Sequence, residues 1–172
     1  MLDKLSTVII NIIRNIGKKN YRNLLCIDKT TKISIDSKAK FNVGHKFRTR
    51  KNVEINVRGS ASLSIGNNVF LNSGCIITAR ENIQIGDNTI LGPYVVIYDN
   101  DHKINNGEVE HNSYDTDPII IGKNVWIGAG AMILRGSEIG DNCVIASGSI
   151  VKGKIDSRTA LIQKRNSLKK DL

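Results

Sequence analysis

The sequence predicts an all-β solenoid, and three observations predict it. First, Ile121, Ile127, Ile133, Ile139, Ile145 and Val151 stand six residues apart without a break. Second, Val125, Ala131, Ser137, Cys143 and Ser149, all small or β-branched, come four places after successive members of that row, and Gly122, Gly128 and Gly140 directly follow three of them. Third, the same step returns upstream through Ile85, Leu91 and Ile97 and, in a shifted frame, through Ile65, Leu71 and Ile77. So short a unit cannot bury its own apolar side, so neighbouring units must stack. Three short strands then close one triangular coil of about 18 residues, and successive coils lie roughly 4.8 Å apart.

Residues 1–30 are expected to form an N-terminal helix and cap. Over residues 4–25, Leu5, Ile9, Ile12, Ile13 and Ile16 recur at helical steps, with Lys4, Arg14, Lys18 and Lys19 between or beyond them. Two roles fit this pattern: closing the open end of the solenoid, or resting on an anionic lipid surface. The apolar run from Val8 to Ile16 is broken by Asn11, Arg14 and Asn15. It is too short to span a bilayer and lacks a small-residue cleavage site.

The solenoid domain is expected over residues 31–156. Its first rungs, through Ile35, Phe41, Phe47 and Val53, keep the step but place His45 and Lys51 where small residues belong. Two extra residues between Ile77 and Ile85 predict a bulged corner near residues 80–82. Ile97 and Ile121 stay in phase, yet residues 102–117 carry no repeat. That polar segment is expected to be an extruded loop closed by Pro118, and long ordered loops on rigid scaffolds commonly carry function. Residues 157–172 are expected to be a basic tail, with a short helix after residue 160.

At 172 residues the chain suits one domain. Its formal net charge of +9 is unevenly placed: +10 over residues 1–60, −6 over residues 61–151 and +5 over residues 152–172. Basic ends suit an anionic partner such as a membrane surface, a charged glycan or a phosphate-bearing ligand; simple solvation of the termini explains them equally. No nucleic-acid partner is expected. Cys26, Cys75 and Cys143 form no framework spacing, and the last two fall on small interior positions, where a thiol acts as a small apolar group. A reduced, cytoplasmic setting is the simpler reading, with a weak membrane-surface contact through the basic N-terminal helix as its extension.

The segments IGNNVFLN, IGDNTILGPYVVIYDNDH, IGKNVWIGAGAMI and IGDNCVIASGSIV resemble, in order and spacing, the hexapeptide-repeat acyltransferases. The stretch from Ile65 to Val151 is most similar to the galactoside and maltose O-acetyltransferase branch and to O-acetyltransferases of surface polysaccharides. That resemblance implies a left-handed parallel β-helix, contrary to the usual right-handed crossover. It further implies acetyl-CoA as acyl donor, a sugar or glycan acceptor, and a homotrimer with active sites at subunit interfaces.

The resemblance makes His102, which opens the extruded loop 24 residues before Trp126, the catalytic base. The chemistry needs one, because an alcohol is a poor nucleophile near neutral pH, and a neutral imidazole can take its proton and return it to the departing thiolate. A carboxylate is expected to orient the ring; Asp99, Asp101, Glu108 and Glu110 all lie near in sequence, while Ser113 stands where the family has an orienting Glu. Asn72 matches an acceptor-binding asparagine, or else belongs to an asparagine ladder at a corner. Asp99 is included with the acceptor contacts. Arg80 replaces an acidic sugar contact of the galactoside enzymes, which points to an acceptor bearing a carboxylate or phosphate, or to an exposed corner arginine. For the donor, the family pattern assigns Trp126, Gly128, Ala129, Ser147 and Lys152, with the backbone at Gly128 and Ala129 suited to an oxyanion. The family's Gly-x-Pro-Ala tail is absent, and LIQKRNSLKK stands in its place.

Three other functions are weighed. A zinc site of the gamma carbonic anhydrase type needs three converging histidines, and His45 falls coils away from His102 and His111, so no metal is expected. N-acetylation of a nucleotide-linked amino sugar needs the same base and donor. A non-enzymatic assembly module leaves His102 and its loop unexplained.

Overall fold

The computed structural model describes residues 25–164, and all of its regular structure is β. The first coil holds β1 (Lys32–Ile35), β2 (Lys40–Val43) and β3 (Arg48–Thr49). The second holds β4 (Glu54–Val57), β5 (Ser62–Ile65) and β6 (Phe70–Leu71), and the third β7 (Ile76–Ala79), β8 (Asn82–Ile85) and β9 (Ile90–Leu91). After β10 (Val96–Tyr98) the chain leaves the coil through β11 (Asn100–Asn105) and β12 (Glu108–Thr116), then returns as β13 (Ile119–Ile121) and β14 (Trp126–Ile127). β15 (Met132–Leu134), β16 (Glu138–Ile139) and β17 (Val144–Ile145) follow, then β18 (Ile150–Val151), β19 (Lys154–Ile155) and β20 (Ala160–Leu161).

These strands stack into three six-stranded parallel sheets, the faces of a prism. The first face runs β1-β4-β7-β10-β15-β18, the second β2-β5-β8-β13-β16-β19 and the third β3-β6-β9-β14-β17-β20. The core is a set of aliphatic columns. Ile55 pairs with Ile77, Ile77 with Ile97, Ile97 with Ile133 and Ile133 with Val151 along the first face, all of them buried. The expected solenoid is thus present, and Cys75 and Cys143 are buried in it as the pattern requires. Cys75 Sγ donates to the Gly92 carbonyl at 3.1 Å, and burial pushes its thiol up to about 11.

The Ile-Gly-x-Asn signature has its physical basis at the corner between the second and third faces, hereafter the asparagine corner. Asn68, Asn88, Asn124 and Asn142 all take φ of 56–59° there, a left-handed conformation that asparagine tolerates better than most residues. Their amides form a partial ladder, Asn68 Nδ2 donating to Asn88 Oδ1 at 2.9 Å. The glycine beside them is demanded by the next coil. A Cβ at Gly86 would lie 2.5 Å from the Gly122 carbonyl oxygen and 2.8 Å from the Lys123 nitrogen, both backbone. Gly86→Ala should therefore destabilise the fold by about 1–3 kcal/mol, as overpacking does; the denaturation midpoint measures it, and an unchanged midpoint would show that the coils can part.

Four expectations change. The segment expected as an irregular loop over 102–117 is an antiparallel hairpin, β11–β12, that begins at Asn100. It turns at Asn106 and Gly107, with φ of 51° and 83°, as a two-residue Asn-Gly hairpin requires. No bulged corner exists near residue 80. The extra residues lengthen β7 and β8 to four residues each, so Ile77 and Ala79, then Ile83 and Ile85, all point inward. Coil length is not constant at about 18 residues. Ile55 pairs with Ile77, 22 residues on; Leu71 with Leu91, 20 on; Ile127 with Ile145, 18 on; and Ile145 with Leu161, 16 on. Finally, strand pairing continues through β20, past the expected end of the solenoid at residue 156 and into the segment expected as tail. The proposed N-terminal helix falls almost wholly on residues 1–24, outside the described residues; Cys26 makes an isolated parallel bridge with Arg48. No helix among the described residues is long and apolar enough to cross a membrane.

Candidate active site

The hairpin leaves the prism between the first and second faces, and its irregular pairing aims the histidine. Near the turn the register is regular, Ile104 opposite Val109. Continued regularly, it would place His102 opposite His111. Instead the register shifts between His102 and Ile104, and His102 faces Tyr114. Such bulges re-aim side chains. Here the shift brings the Glu110 carbonyl oxygen 3.2 Å from His102 Nδ1. A carbonyl only accepts, so in the neutral imidazole this contact places the proton on Nδ1 and leaves the Nε2 lone pair free. The orienting group is therefore a backbone carbonyl, not any of the four carboxylates expected from the sequence. Ser113 bonds the Glu110 carboxylate instead, and holds that carboxyl below its ordinary range.

Tyr114 is the centre of the arrangement. Its ring lies 4.7 Å from the His102 ring, centroid to centroid, and the Arg80 guanidinium carbon sits 3.4 Å from the Tyr114 centroid. Its hydroxyl donates to the His111 carbonyl at 3.3 Å. Arg135 Nε donates to Asp101 Oδ2 at 2.5 Å, and this bond holds the Arg135 guanidinium above its ordinary range. Thr78, Arg80, Tyr98, Asn100, Asp101, His102 and Tyr114 enclose a surface pocket of about 340 Å³.

Asp99 is not in that pocket. Its side chain is fully buried, and its two oxygens accept the backbone N–H groups of Arg80 and Glu81, each at 2.8 Å. The Asn100 amide donates to it as well, at 3.1 Å. Expected as an acceptor contact, it instead ties the corner from which the hairpin springs.

The remaining expected residues separate onto two corners of the prism. Between the third and first faces, the small-residue corner stacks Asn72, Gly92 and Gly128 in one column through the bonds Asn72 N to Leu91 O and Gly92 N to Ile127 O. Ala129 and Ser147 are exposed on the same corner, and a Cβ on Gly128 would strike Ser147 N at 2.5 Å. Trp126 is on the adjoining third face, 57 % exposed between Ile90 and Val144. Asn72 Oδ1 accepts the Ser73 N–H at 2.8 Å. The Gly128 N–H donates to Ile145 O at 2.7 Å and is spent on the coil ladder. The Ala129 N–H makes no hydrogen bond among the described residues, so of the two backbone amides only Ala129 has a donor to offer. Lys152, exposed after β18, lies on the hairpin corner with His102 rather than with the other residues expected to hold the donor. Among the described residues, no three His, Cys, Asp or Glu side chains converge as a metal site would require.

Residues 118–153 match the family model described as bacterial transferase hexapeptide (six repeats). The chain is 36% identical over 91 residues to galactoside O-acetyltransferase of Escherichia coli K12, across 53% of the chain and 45% of that relative. It thus spans about half that relative's length. It is 26% identical over 154 residues to WbbJ of the same strain, provisionally named a lipopolysaccharide-biosynthesis O-acetyl transferase, across 82% of the chain and 76% of WbbJ. Among solved structures, it is similar to the hexapeptide-repeat acetyltransferase VCA0836 of Vibrio cholerae O1 biovar eltor, solved with acetyl-coenzyme A. The TM-score is 0.61 at 26% identity, over 69% of this chain and 64% of that one.

Sequence reasoning missed four residues of the pocket beside His102: Thr78, Tyr98, Asn100 and Tyr114. Two carried a signal. With Ile77 and Ile97 inward, strand alternation turns Thr78 and Tyr98 outward. Tyr114 carried none, because the register shift that brings it to His102 has no local sequence mark.

Proposed function

We propose that this chain is an acetyl-CoA-dependent O-acetyltransferase acting on a sugar hydroxyl, of the kind found in surface-polysaccharide precursors, with His102 as general base. The observation that carries this reading is the imidazole fixed through Nδ1 by the Glu110 carbonyl, with Nε2 free beside a pocket of monosaccharide size. Acetyl-CoA supplies a thioester whose carbonyl carbon is open to attack. His102 Nε2 takes the proton of the acceptor hydroxyl as its oxygen bonds that carbon, and returns it to the leaving thiolate. The Ala129 N–H is the donor for the carbonyl oxygen as negative charge develops there. Trp126, Ser147 and Lys152 are proposed to flank the donor, and Asn72 the acceptor.

The split between two corners supports a homotrimer. One chain sets His102 and Ala129 on different corners of its prism, so a complete site needs the hairpin corner of one copy against the small-residue corner of the next. A closed ring of three satisfies every such pair. The exposed apolar side chains Ile90, Trp126 and Val144 on the third face and Met132 and Ile150 on the first flank that small-residue corner. A left-handed coil, as in the family, is part of the same proposal.

A panel of sugars, amino sugars and their nucleotide forms, assayed for thiol release from acetyl-CoA, tests the reading. Release with hydroxyl acceptors is expected. Release with amino sugars alone would replace it with N-transfer, and absence of coenzyme A binding in calorimetry at millimolar concentration would favour a non-enzymatic module.

A further inference from the structure

We propose that Arg80, held flat on Tyr114, is an anion-reading subsite, so that the acceptor is a monosaccharide unit bearing a carboxylate or a phosphate. The assignment rests on the acetyltransferase reading for the word acceptor, though not for the binding it foresees. A guanidinium carries five N–H donors in a rigid fork and keeps its charge at any working pH. Stacking on an aromatic face fixes its plane and leaves the edge donors free to meet two oxygens side by side. Arg80 meets these conditions: its guanidinium lies 3.4 Å from the Tyr114 centroid and lines the pocket.

What makes the charge available is the fate of its neighbours. Asp99, which bonds the Arg80 backbone, spends both oxygens on the N–H groups of Arg80 and Glu81. Asp101, the carboxylate that lines the pocket, is paired with Arg135. Among the described residues the Arg80 guanidinium has neither ion pair nor hydrogen bond, and it rests over the Tyr114 ring. A half-buried cation without an internal counter-ion suits an anionic ligand. The same ring that carries Arg80 on one side touches His102, 4.7 Å between centroids. An anion bound at Arg80 and a hydroxyl at His102 Nε2 then belong to one small molecule, with a sugar ring as the spacer.

The test is calorimetric binding of glucose, glucuronate, glucose 1-phosphate and glucose 6-phosphate to the full chain, at fixed ionic strength, with and without coenzyme A. Glucuronate or a sugar phosphate should bind at least about tenfold more tightly than glucose, the scale of a charge-assisted, bidentate contact. Which of them prevails identifies the anion as carboxylate or phosphate. In Arg80→Gln the preference should fall to within about twofold, while Arg80→Lys should keep part of it, since a point charge survives without the fork. The ratio of affinities is read, so a general loss of stability does not imitate the result. Equal binding of charged and neutral sugars, binding of no anion, or a preference that survives in Arg80→Gln would each overturn the subsite. Thiol release over the same compounds is scored separately. An Arg80-dependent preference without acetyl transfer keeps the anion site and removes the transferase, and transfer without such a preference does the reverse.

Discussion

Replacing His102 with alanine should lower acetyl transfer by about 10²–10⁴-fold, the range general-base assistance contributes, while the fold stays intact. The second half of that expectation follows from placement. His102 is exposed on the hairpin, and among the described residues its ring bonds a carbonyl that water can serve instead. Removing the ring therefore orphans no buried group. The first half follows from the proton: without Nε2 the acceptor hydroxyl must attack while still protonated. A group that acts only in the transition state lowers kcat and kcat/KM together, which distinguishes a base from a residue that merely binds the sugar. His102→Gln should be no better, since an amide holds the space without the basicity. Turnover above about a hundredth of the parent rate would remove His102 from the role. Unchanged KM with reduced kcat, and an unchanged denaturation midpoint, are the matching positive signs.

Asp99→Ala should be the most destabilising change near the site, by about 2–5 kcal/mol. Two backbone N–H groups lose the buried carboxylate that both donate to, and each donor left without a partner costs roughly 1–3 kcal/mol. Those groups belong to Arg80 and Glu81, so the corner that positions the anion subsite should loosen with the hairpin root. Asp99→Asn keeps the shape and one acceptor oxygen, and should lose markedly less. Denaturation midpoints measure both. An acceptor-binding aspartate would behave otherwise, raising KM and leaving the midpoint where it was.

The solenoid was legible because its period is a packing rule. A row such as Ile121, Ile127 and Ile133 can be buried together only when each sixth residue returns to the axis. The Gly86 and Asn88 positions were legible as a motif, and the structure adds the reason, a passing backbone and a left-handed φ. The coil length was misjudged because the row counts inward residues and ignores strand length. β7 and β8 each place two residues inward, and the extra pair looks in sequence like a bulge. Asp99 was misassigned through its nearness to His102, although alternation from Ile97 turns it inward. The hairpin was hidden by its polarity: Ile104 and Val109 face solvent, and without an apolar side the alternation that marks a strand is absent. The orienting carbonyl of Glu110 was beyond sequence reading altogether, since a backbone atom has no letter.

The shrinking coil bears on whether one described solenoid could stack end to end upon another. A parallel solenoid offers unpaired strand edges at both ends, and edges of equal shape invite copies to add one upon another into a fibre. Here the opening coil spans 22 residues between Ile33 and Ile55, and the closing one spans 16 between Ile139 and Ile155. The leading strands β1 and β2 have four residues each, and the trailing β19 and β20 have two. A copy seated on either end would match one edge and overhang the next, with its corners out of step. Between the described ends of the solenoid, then, the geometry opposes stacking of one copy upon another.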